Sequence, residues 1–427
     1  MQKTSAMNQI HVIGAGLAGL SAALSLTAAG RTVIVHEAGP AAGGRCRSYF
    51  DKELGLRIDN GNHLMLSGNS AAKAYIKEIE AEDAFQQMDS AAFPFMDIQS
   101  GERWTVRPNK GRIPWWIFRA DRRVPGTRLS DYLGMARIIR FRDETPVGDA
   151  MRRGKLYWRL VEPLAVAALN TPTQEGLARL LGAVMRETLM RGGAACIPML
   201  PKQGLSEALI DPAIAMLRSR GAEIRFNSRI AELTCNDGRA TALRGPDGPI
   251  PLQDGDSVVL AVPPWVASDL LPGLVVPDAF EAILNIHFRY EADPSGPLGE
   301  AGFIGLTSAT AEWVFIKHGH VSVTISAANN MVDDQARAIA ALVWPNVVDA
   351  LGLPAGLKTE MPPYRVVKEK RATFAATARQ DVRRPEPATN FATNLALAGD
   401  WTDTGLPATI EGAIRSGRTA ADVLLKL

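Results

Sequence analysis

Three glycines near the N-terminus and an acidic residue downstream of them have the spacing of a dinucleotide-binding site. The run Gly14-Ala15-Gly16-Leu17-Ala18-Gly19 follows a short apolar segment. In such a run the first glycine permits a tight turn, Gly16 lets the backbone approach a pyrophosphate, and Gly19 lets a helix pack against a sheet. Glu37 follows about 20 residues later, where a carboxylate accepts a ribose hydroxyl. These residues predict dinucleotide binding, and the carboxylate disfavours NADP because it would repel the 2′-phosphate.

The elements that must position these residues form a strand–helix–strand unit over 10–38. Strand 32–37 reads Thr-Val-Ile-Val-His-Glu, and the helix before it is rich in small residues. The N-terminus of that helix presents free N–H groups and the positive end of its dipole to phosphate. A signal peptide or membrane span over 10–29 is the competing interpretation. The fingerprint spacing of the glycines and the lack of a following cleavage pattern argue against it.

Composition disfavours several other classes of function. The chain has 427 residues and a net charge of +2, which allows two domains and gives no overall case for nucleic-acid binding. No apolar run reaches the roughly 18 residues of a membrane span. Six histidines without HxxH or HExxH spacing and three scattered cysteines (Cys46, Cys196 and Cys235) predict neither a metal site nor a disulfide framework. These features favour the reducing cytoplasm.

Further strands and helices lie outside the N-terminal unit. Residues 204–235 predict a helix and two strands, and 256–263 predict a buried strand. A final strand from Leu395 precedes Gly399-Asp400 and a helix that begins near Thr409. These blocks resemble parts of one α/β unit.

Two insertions separate these blocks. Residues 90–195 are rich in arginine and have a largely helical pattern. Residues 280–368 predict one helix near 333–351 and strands at 283–290, 312–316 and 320–326.

Four blocks, in the right order, resemble the FAD-dependent amine oxidase and phytoene desaturase superfamily over essentially the whole chain. They are the glycine fingerprint, Glu37-Ala38 with Gly43-Gly44-Arg45, Asp59-Asn60-Gly61-Asn62-His63, and Leu397-Ala398-Gly399-Asp400 with Pro407-Ala408-Thr409-Ile410-Glu411-Gly412-Ala413 and Ser416-Gly417. The resemblance implies an α/β fold with a discontinuous Rossmann-type FAD-binding domain, like that of GR2 flavoproteins, interleaved with a mixed α+β substrate domain. The FAD-binding domain would comprise 7–89, 196–270 and 388–427, and the substrate domain 90–195 and 271–387.

Within that superfamily the chain is most similar to the squalene-associated bacterial branch, the hydroxysqualene dehydroxylases of hopanoid synthesis. The segments that carry this likeness are 59–68, 162–172 and 398–407. The resemblance implies that reduced FAD converts hydroxysqualene, a long isoprenoid alcohol, to squalene. Two alternatives stay open: a carotenoid-type FAD-dependent desaturase that runs in the opposite redox direction, and a flavin-binding lipid carrier without turnover.

The resemblance also implies which residues contact FAD. Asp400 would bind the ribityl or phosphate region, the backbone near Ile410 would face the flavin pyrimidine, and the backbone of Ile230 would lie beside the adenine. Arg45 could instead be a solvated surface arginine, and Asp400 an N-cap or turn residue. The full set is Gly14, Ala15, Gly16, Leu17, Ala18, Glu37, Ala38, Gly43, Gly44, Arg45, Asn60, Gly61, Asn62, Ile230, Gly399, Asp400, Ala408, Thr409 and Ile410.

The expected chemistry requires an acid and a source of electrons. Our hypothesis is that an acid helps the hydroxyl leave as water and that flavin N5 delivers hydride to the resulting allylic cation, in an apolar pocket that excludes water. His63 is the first candidate for the acid and His287 the second, although His63 could simply hydrogen-bond backbone near the cofactor. One fingerprint is visible, so we expect an external electron donor rather than a second nucleotide site.

A basic and aromatic segment near 108–142 predicts contact with a membrane surface. Trp115 and Trp116 are flanked by Arg107, Lys110, Arg112, Arg119, Arg122 and Arg123. Tryptophan with arginine suits a lipid headgroup interface, and a C30 hydrocarbon partitions into the bilayer. The alternative is that the tryptophans pack in a helical core above a solvated arginine face. We expect a cytoplasmic protein peripherally associated with the inner membrane.

Overall fold

The computed structural model describes residues 8–293, 296–298 and 301–426, so the predicted domain start at residue 7 lies outside the described residues. The strands are β1 (Gln9–Ile13), β2 (Thr32–His36), β3 (Ser48–Asp51), β4 (Leu56–Asp59), β5 (Met65–Leu66), β6 (Phe85–Gln87), β7 (Phe93–Asp97), β8 (Arg103–Val106), β9 (Pro198–Pro201), β10 (Glu223–Arg225), β11 (Glu232–Asn236), β12 (Arg239–Gly245), β13 (Gly248–Pro251), β14 (Ser257–Leu260), β15 (Phe280–Phe288), β16 (Phe303–Thr307), β17 (Trp313–Lys317), β18 (His320–Ile325), β19 (Tyr364–Phe374) and β20 (Leu395–Leu397).

The α-helices range from a single turn to sixteen residues. They are α1 (Leu17–Ala28), α2 (Ser70–Glu78), α3 (Leu129–Ile138), α4 (Val147–Ala150), α5 (Glu162–Leu169), α6 (Ala178–Glu187), α7 (Asp211–Ser219), α8 (Pro264–Leu270), α9 (Ala336–Leu351), α10 (Ala378–Asp381) and α11 (Ile410–Leu425). π-helical turns at Tyr157–Val161 and Ser206–Ile210 lead into α5 and α7.

A five-stranded parallel sheet carries the glycine loop, with strand order β10-β2-β1-β14-β20. Its central strands are apolar and buried, as parallel strands covered on both faces must be. Ile13 pairs with Leu260, and Leu260 pairs with Leu397. The carboxyl ends of β1 and β20 therefore lie at one edge of the sheet, which places the loops after residues 13 and 397 near each other although they are distant in sequence.

Helices α1 and α11 pack closely against each other beside this sheet. A methyl group on Gly417 would overlap the carbonyl oxygen of Ala18. The Ser21 hydroxyl donates a hydrogen bond to the Ile414 carbonyl at 2.8 Å. Small residues on both helices thus let the N-terminal and C-terminal parts of the chain form one buried core.

A second, mixed sheet has the order β19-β15-β18-β17-β16-β7-β8, in which β16 and β7 pair in parallel and the other neighbours are antiparallel. One face packs against α9 through residues such as Ile286 and Val323. Side chains alternate along a strand, so Asn285 and Thr324 point to the opposite face. On that face an aromatic cluster packs under the short helices α3 to α6.

The sequence located the five strands of the parallel sheet and three strands of the mixed sheet, but it missed about half of all the strands. The predicted helix and strands of 204–235 are present as α7, β10 and β11, and the strands predicted at 283–290, 312–316 and 320–326 are β15, β17 and β18. The largely helical pattern of 90–195 was wrong for β7 and β8, which join the mixed sheet. Their few residues carry too little periodicity to identify them. The division into domains stays a prediction.

Candidate active site

The turn from β1 into α1 is shaped by contacts that admit only glycine at one position of the loop, Gly14, and at one position in the first turn of α1, Gly19. Gly14 has φ of +104°, and its N–H donates to the His36 carbonyl at 2.8 Å. A methyl group at Gly14 would overlap the carbonyl oxygen of Ala261, and one at Gly19 would overlap the carbonyl oxygen of Gly14. Both glycines are therefore required by the packing of the protein itself.

Gly16 differs from these two because it faces open space. A methyl group on Gly16 would meet no atom within 4 Å. Gly16 is also the N-cap of α1, where no side chain accepts a hydrogen bond from the first turn and no acidic residue lies in that turn. The free N–H groups and the helix dipole suit a phosphate group at this position. This cradle fits the pyrophosphate of a dinucleotide.

The loop 43–45 lies directly beside the glycine loop. The Gly43 N–H donates to the Ala15 carbonyl at 2.9 Å, and Gly16 and Gly43 form an isolated parallel bridge. Gly43 and Gly44 have φ of +111° and +56°, a region that favours glycine. The two predicted phosphate-proximal loops therefore form one continuous backbone surface.

Glu37 stands at the end of β2 next to the glycine loop. Its carboxylate accepts from the Ala15 N–H at 2.9 Å and from the Gly39 N–H at 2.8 Å. The carboxylate is half-buried, and the following Ala38 is exposed. Ile230 is buried in an apolar cluster with Ile13 and Leu243. This arrangement leaves the Glu37 carboxylate able to accept a further hydrogen bond, as binding of a ribose requires.

The C-terminal block meets the N-terminal block through an ion pair. Arg45 Nη2 lies 2.7 Å from Asp400 Oδ1, and Arg45 Nη1 donates to the Ala372 carbonyl at 2.6 Å. Asp400 is buried, whereas Arg45 is partly exposed. Asp400 is not the N-cap of α11, because that cap is Thr409, whose Oγ1 accepts from the Gly412 N–H at 3.0 Å. Ala408 directly precedes the cap.

Glu411, in the first turn of α11, has a structural role that its place in the motif did not reveal. Its carboxylate accepts from the Ala71 N–H at 2.9 Å and from the Ala72 N–H at 2.8 Å, and it pairs with Arg415. These N–H groups belong to the first turn of α2, where a carboxylate also interacts favourably with the helix dipole. Glu411 therefore joins α11 to α2.

Asn60, Gly61 and Asn62 form a loop that docks on the polar face of the mixed sheet. Asn285 donates to the Asn60 carbonyl and accepts from the Asn62 N–H, each at 3.3 Å. The Asn62 amide donates to Ser322 Oγ at 2.7 Å and to Thr324 Oγ1 at 3.0 Å. Asn62 Oδ1 is buried and has no hydrogen-bond partner among the described residues. An acceptor of this kind can receive a donor from a bound molecule.

Sequence reasoning missed Asn285, Ser322 and Thr324, which hold this loop. All three are buried polar residues in otherwise apolar strands. That interruption of an apolar run was the available signal. The carboxylate of the motif residue Asp59, by contrast, makes hydrogen bonds to other parts of the protein. Its Oδ1 accepts from Ser48 Oγ at 2.6 Å and from the Leu205 N–H at 2.9 Å.

Both candidate histidines lie near this loop in their neutral form. Burial lowers the pKa of the His63 imidazole to about 4. His287 is fully buried, its Nδ1 lies 3.0 Å from Ser322 Oγ, and burial lowers its pKa to about 3. The structure thus brings His287 into the network of Asn62 through Ser322. At neutral pH neither ring carries the extra proton of an imidazolium.

The basic segment exposes one of its two tryptophans and buries the other. Trp116 is 3% exposed and packs edge-to-face on Tyr132, so the prediction that Trp116 contacts a membrane was wrong. Trp115 is 47% exposed and lies under the Arg122 guanidinium at 4.9 Å. Ile113 and Phe118 are 78% and 66% exposed. None of the helices in the described part of the chain is long and apolar enough to span a bilayer.

Comparisons with known proteins agree with this architecture. The family model for flavin containing amine oxidoreductases matches residues 17–291 and 314–425. The chain is 47% identical to a hydroxysqualene dehydroxylase of Rhodopseudomonas palustris over 97% of this chain and 98% of that protein. It is 44% identical to a hydroxysqualene dehydroxylase of Zymomonas mobilis, over 98% of this chain and 99% of the relative.

More distant relatives share the fold. A probable zeta-carotene desaturase of Synechococcus elongatus is 23% identical, with 98% of both chains covered. The solved structure of a putrescine oxidase superposes with a TM-score of 0.68 at 16% identity, covering 98% of this chain and 99% of that chain. The predicted α/β flavoprotein fold is confirmed.

Proposed function

The chain belongs to the family of flavin-containing amine oxidoreductases and is an FAD-dependent oxidoreductase, and we propose that it reduces hydroxysqualene to squalene. The observation that carries the proposal is the near full-length match at 47% identity to a hydroxysqualene dehydroxylase. The open cradle at Gly16 and the unpartnered Asn62 Oδ1 support a bound dinucleotide cofactor.

We assign the cofactor contacts to the loops that meet at the edge of the parallel sheet. The pyrophosphate would lie on the residues from Gly14 to Ala18 and against Gly43 to Arg45, and a ribose against Glu37 and Ala38. Asn60 to Asn62 and Ala408 to Ile410 would hold the flavin end, with Gly399 and Asp400 beside the linker and Ile230 beside the adenine. When bound and reduced, FAD supplies a hydride equivalent.

Neither histidine donates the proton in this proposal. A general acid works best when its pKa lies near the operating pH. The pKa values of about 4 for His63 and about 3 for His287 leave both rings neutral at pH 7. His287 instead orients Ser322, which accepts from the Asn62 amide. The proton for the leaving hydroxyl must then come from another group.

A membrane surface is the source from which we propose that the substrate is taken. Ile113, Trp115 and Phe118 form an exposed apolar surface, and the stretch 102–159 holds fifteen Lys and Arg against six Asp and Glu. Apolar side chains can enter the headgroup region while arginines meet anionic lipid. These features support a protein that is held peripherally at a membrane surface.

The test of the reaction is anaerobic incubation of the holoenzyme with hydroxysqualene and a chemical reductant. Formation of squalene in proportion to flavin oxidation supports the proposal. The second candidate, a carotenoid-type desaturase, is favoured by the 23% identity to a zeta-carotene desaturase, and it would instead oxidise a carotenoid precursor with the oxidised holoenzyme. Binding of either isoprenoid with no turnover would indicate a lipid carrier.

A further inference from the structure

A row of hydroxyl residues on β18 extends away from the loop of Asn60, Gly61 and Asn62. Ser322 and Thr324 both bind the Asn62 amide. Ser326 follows directly after the strand, and two residues of strand advance the chain by about 7 Å. The Ser326 N–H donates at 2.8 Å to Glu312 Oε2. The Glu312 carboxyl is therefore held by Ser326, two residues along the chain from Thr324, which binds the Asn62 amide.

A second carboxyl lies close to Glu312. Glu162 is the first residue of α5, and its Oε1 accepts from the Thr173 hydroxyl at 3.3 Å. Thr173 in turn accepts from the Tyr157 hydroxyl at 2.7 Å. Burial raises the pKa of Glu312 to about 7, and the nearby charge of Glu162 acts in the same direction. Burial also raises the pKa of Glu162, and the hydrogen bond from Thr173 and the charge of Arg153 oppose this rise.

We propose that Glu312 protonates the hydroxyl group of the allylic alcohol as its carbon–oxygen bond breaks, with Glu162 as the positioning residue that keeps this proton in place. The assignment rests on the proposed reduction of hydroxysqualene. The proton passes from the Glu312 carboxyl to the hydroxyl oxygen, which leaves as water with the electron pair of the broken bond. The carbon receives the hydride of the proposed reaction, and Glu312 regains a proton from solvent.

Two physical arguments favour this carboxyl over the histidines. A carboxyl group with a pKa near 7 is protonated in a large fraction of molecules at neutral pH and is still a strong enough acid to donate. After donation the carboxylate is negative, and in a site that excludes water it stabilises the developing cation. The neutral His63 and His287 have neither property.

Glu281 provides a matched comparison within the same sheet. Burial raises the pKa of Glu281 to about 7 as well, with a further contribution from Glu175. Glu281 lies on β15 opposite Thr373. Unlike Glu312, its carboxyl has no hydrogen bond to the polar row of Ser322, Thr324 and Ser326 among the described residues. The two glutamates therefore share a raised pKa and differ in position.

The test compares E312Q and E281Q holoenzymes in anaerobic single turnovers from pH 5.5 to 9. Wild type should form squalene more slowly as the pH rises through about 7, because the acid loses its proton. E312Q should be slower by about 10²–10⁴-fold, and its rate should not fall as the pH rises through 7, so that its pH profile lacks this falling limb. Its FAD content and thermal stability should stay near those of wild type. E281Q should keep both rate and pH limb. E162Q should keep the rate at low pH and shift the limb to lower pH.

Infrared difference spectroscopy of the holoenzyme gives a readout independent of turnover. Glu281 and Glu312 both have a pKa of about 7, so each should contribute to a protonated-carboxyl C=O band that titrates near pH 7 in wild type. E312Q should lose one contribution and E281Q the other, and the component that is absent from E312Q but present in E281Q belongs to Glu312. An E312Q enzyme with the rate and pH limb of wild type, or an unchanged band, overturns the assignment. Wild-type enzyme that forms no squalene overturns the proposed function instead, and the infrared titration still decides whether Glu312 holds the proton.

Discussion

Arg45 Nη2 donates a hydrogen bond to Asp400 Oδ1 at 2.7 Å and so joins two side chains that are 355 positions apart in the sequence. The pair connects the loop beside the glycine fingerprint to the loop after β20. Arg45 also donates a hydrogen bond to the carbonyl of Ala372, which lies on β19 of the mixed sheet. One guanidinium therefore joins its own loop to two other parts of the chain at the candidate cofactor site.

We expect Arg45→Ala to weaken FAD binding more than it weakens the fold. A partly exposed ion pair contributes about 1 kcal/mol or less to stability, whereas loss of a charged hydrogen bond at a ligand site costs about 1.5–3 kcal/mol. The dissociation constant of FAD should rise by about 10- to 100-fold. Arg47→Ala, at an exposed position in the same loop, is the control. Equal losses of affinity in both variants would contradict a specific role for Arg45.

The fingerprint glycines should separate into two classes when each is replaced by alanine. Gly16→Ala leaves packing intact because its methyl group enters open space, and we expect a folded apoprotein that no longer retains FAD. Gly19→Ala places a methyl group against the Gly14 carbonyl, and we expect poor folding. Thermal unfolding of the apoproteins and FAD titration measure the two effects. A Gly16→Ala protein that binds FAD with the affinity of wild type would contradict the proposed position of the pyrophosphate.

Acid should destabilise the protein through a buried histidine pair in the parallel sheet. His11 Nδ1 lies 3.1 Å from His36 Nε2, and burial lowers the pKa of His36 from 6.5 to about 4. The unfolded chain therefore binds the proton more tightly. The contribution of the neutral His36 ring to the free energy of unfolding is complete above pH 6.5. It is lost as the pH falls toward 4, at about 1.4 kcal/mol per pH unit.

Urea unfolding of wild type and His36→Gln at pH 7.5 and 5 measures this contribution. Glu281 and Glu312 act in the opposite sense, because their raised pKa values impose a penalty that shrinks as pH falls below 7. The difference between the two proteins isolates His36 from these groups. Wild type should lose about 2 kcal/mol more than His36→Gln between the two pH values. The same loss in both proteins would exclude His36 as the source.

The two adjacent tryptophans should respond to different assays. Trp116→Ala empties a buried site next to Tyr132 and should cost about 3–5 kcal/mol of stability in chemical denaturation. Trp115→Ala should leave stability nearly unchanged and reduce flotation with phosphatidylglycerol vesicles, more so when Phe118→Ser is added. Leu342→Ser, an exposed apolar residue on α9, is the control for flotation. Undiminished flotation of the Trp115 and Phe118 variants would argue against the proposed docking surface.

Local sequence was sufficient wherever a few neighbouring residues determine the geometry. The turn at Gly14, the open helix N-terminus at Gly16 and the acid at Glu37 follow from backbone sterics and spacing within one strand–helix–strand unit, and the structure has all three elements. The resemblance to flavin-dependent oxidoreductases added that the block around Asp400 meets this unit. That meeting is realised in the Arg45–Asp400 pair.

Tertiary structure alone decided the properties that depend on neighbours far along the chain. Nothing in the sequence of Trp115 and Trp116 says which ring is buried, because consecutive side chains of the 3-10 turn Trp115–Phe118 point about 120° apart and only tertiary packing decides which of them faces the core. The same holds for the neutral His63 and His287 and for the raised pKa of Glu312, since desolvation and nearby charges come from strands and helices that are distant in sequence. Spacing predicted where a dinucleotide binds, and long-range burial shifted the pKa values of the groups among which we propose the proton donor.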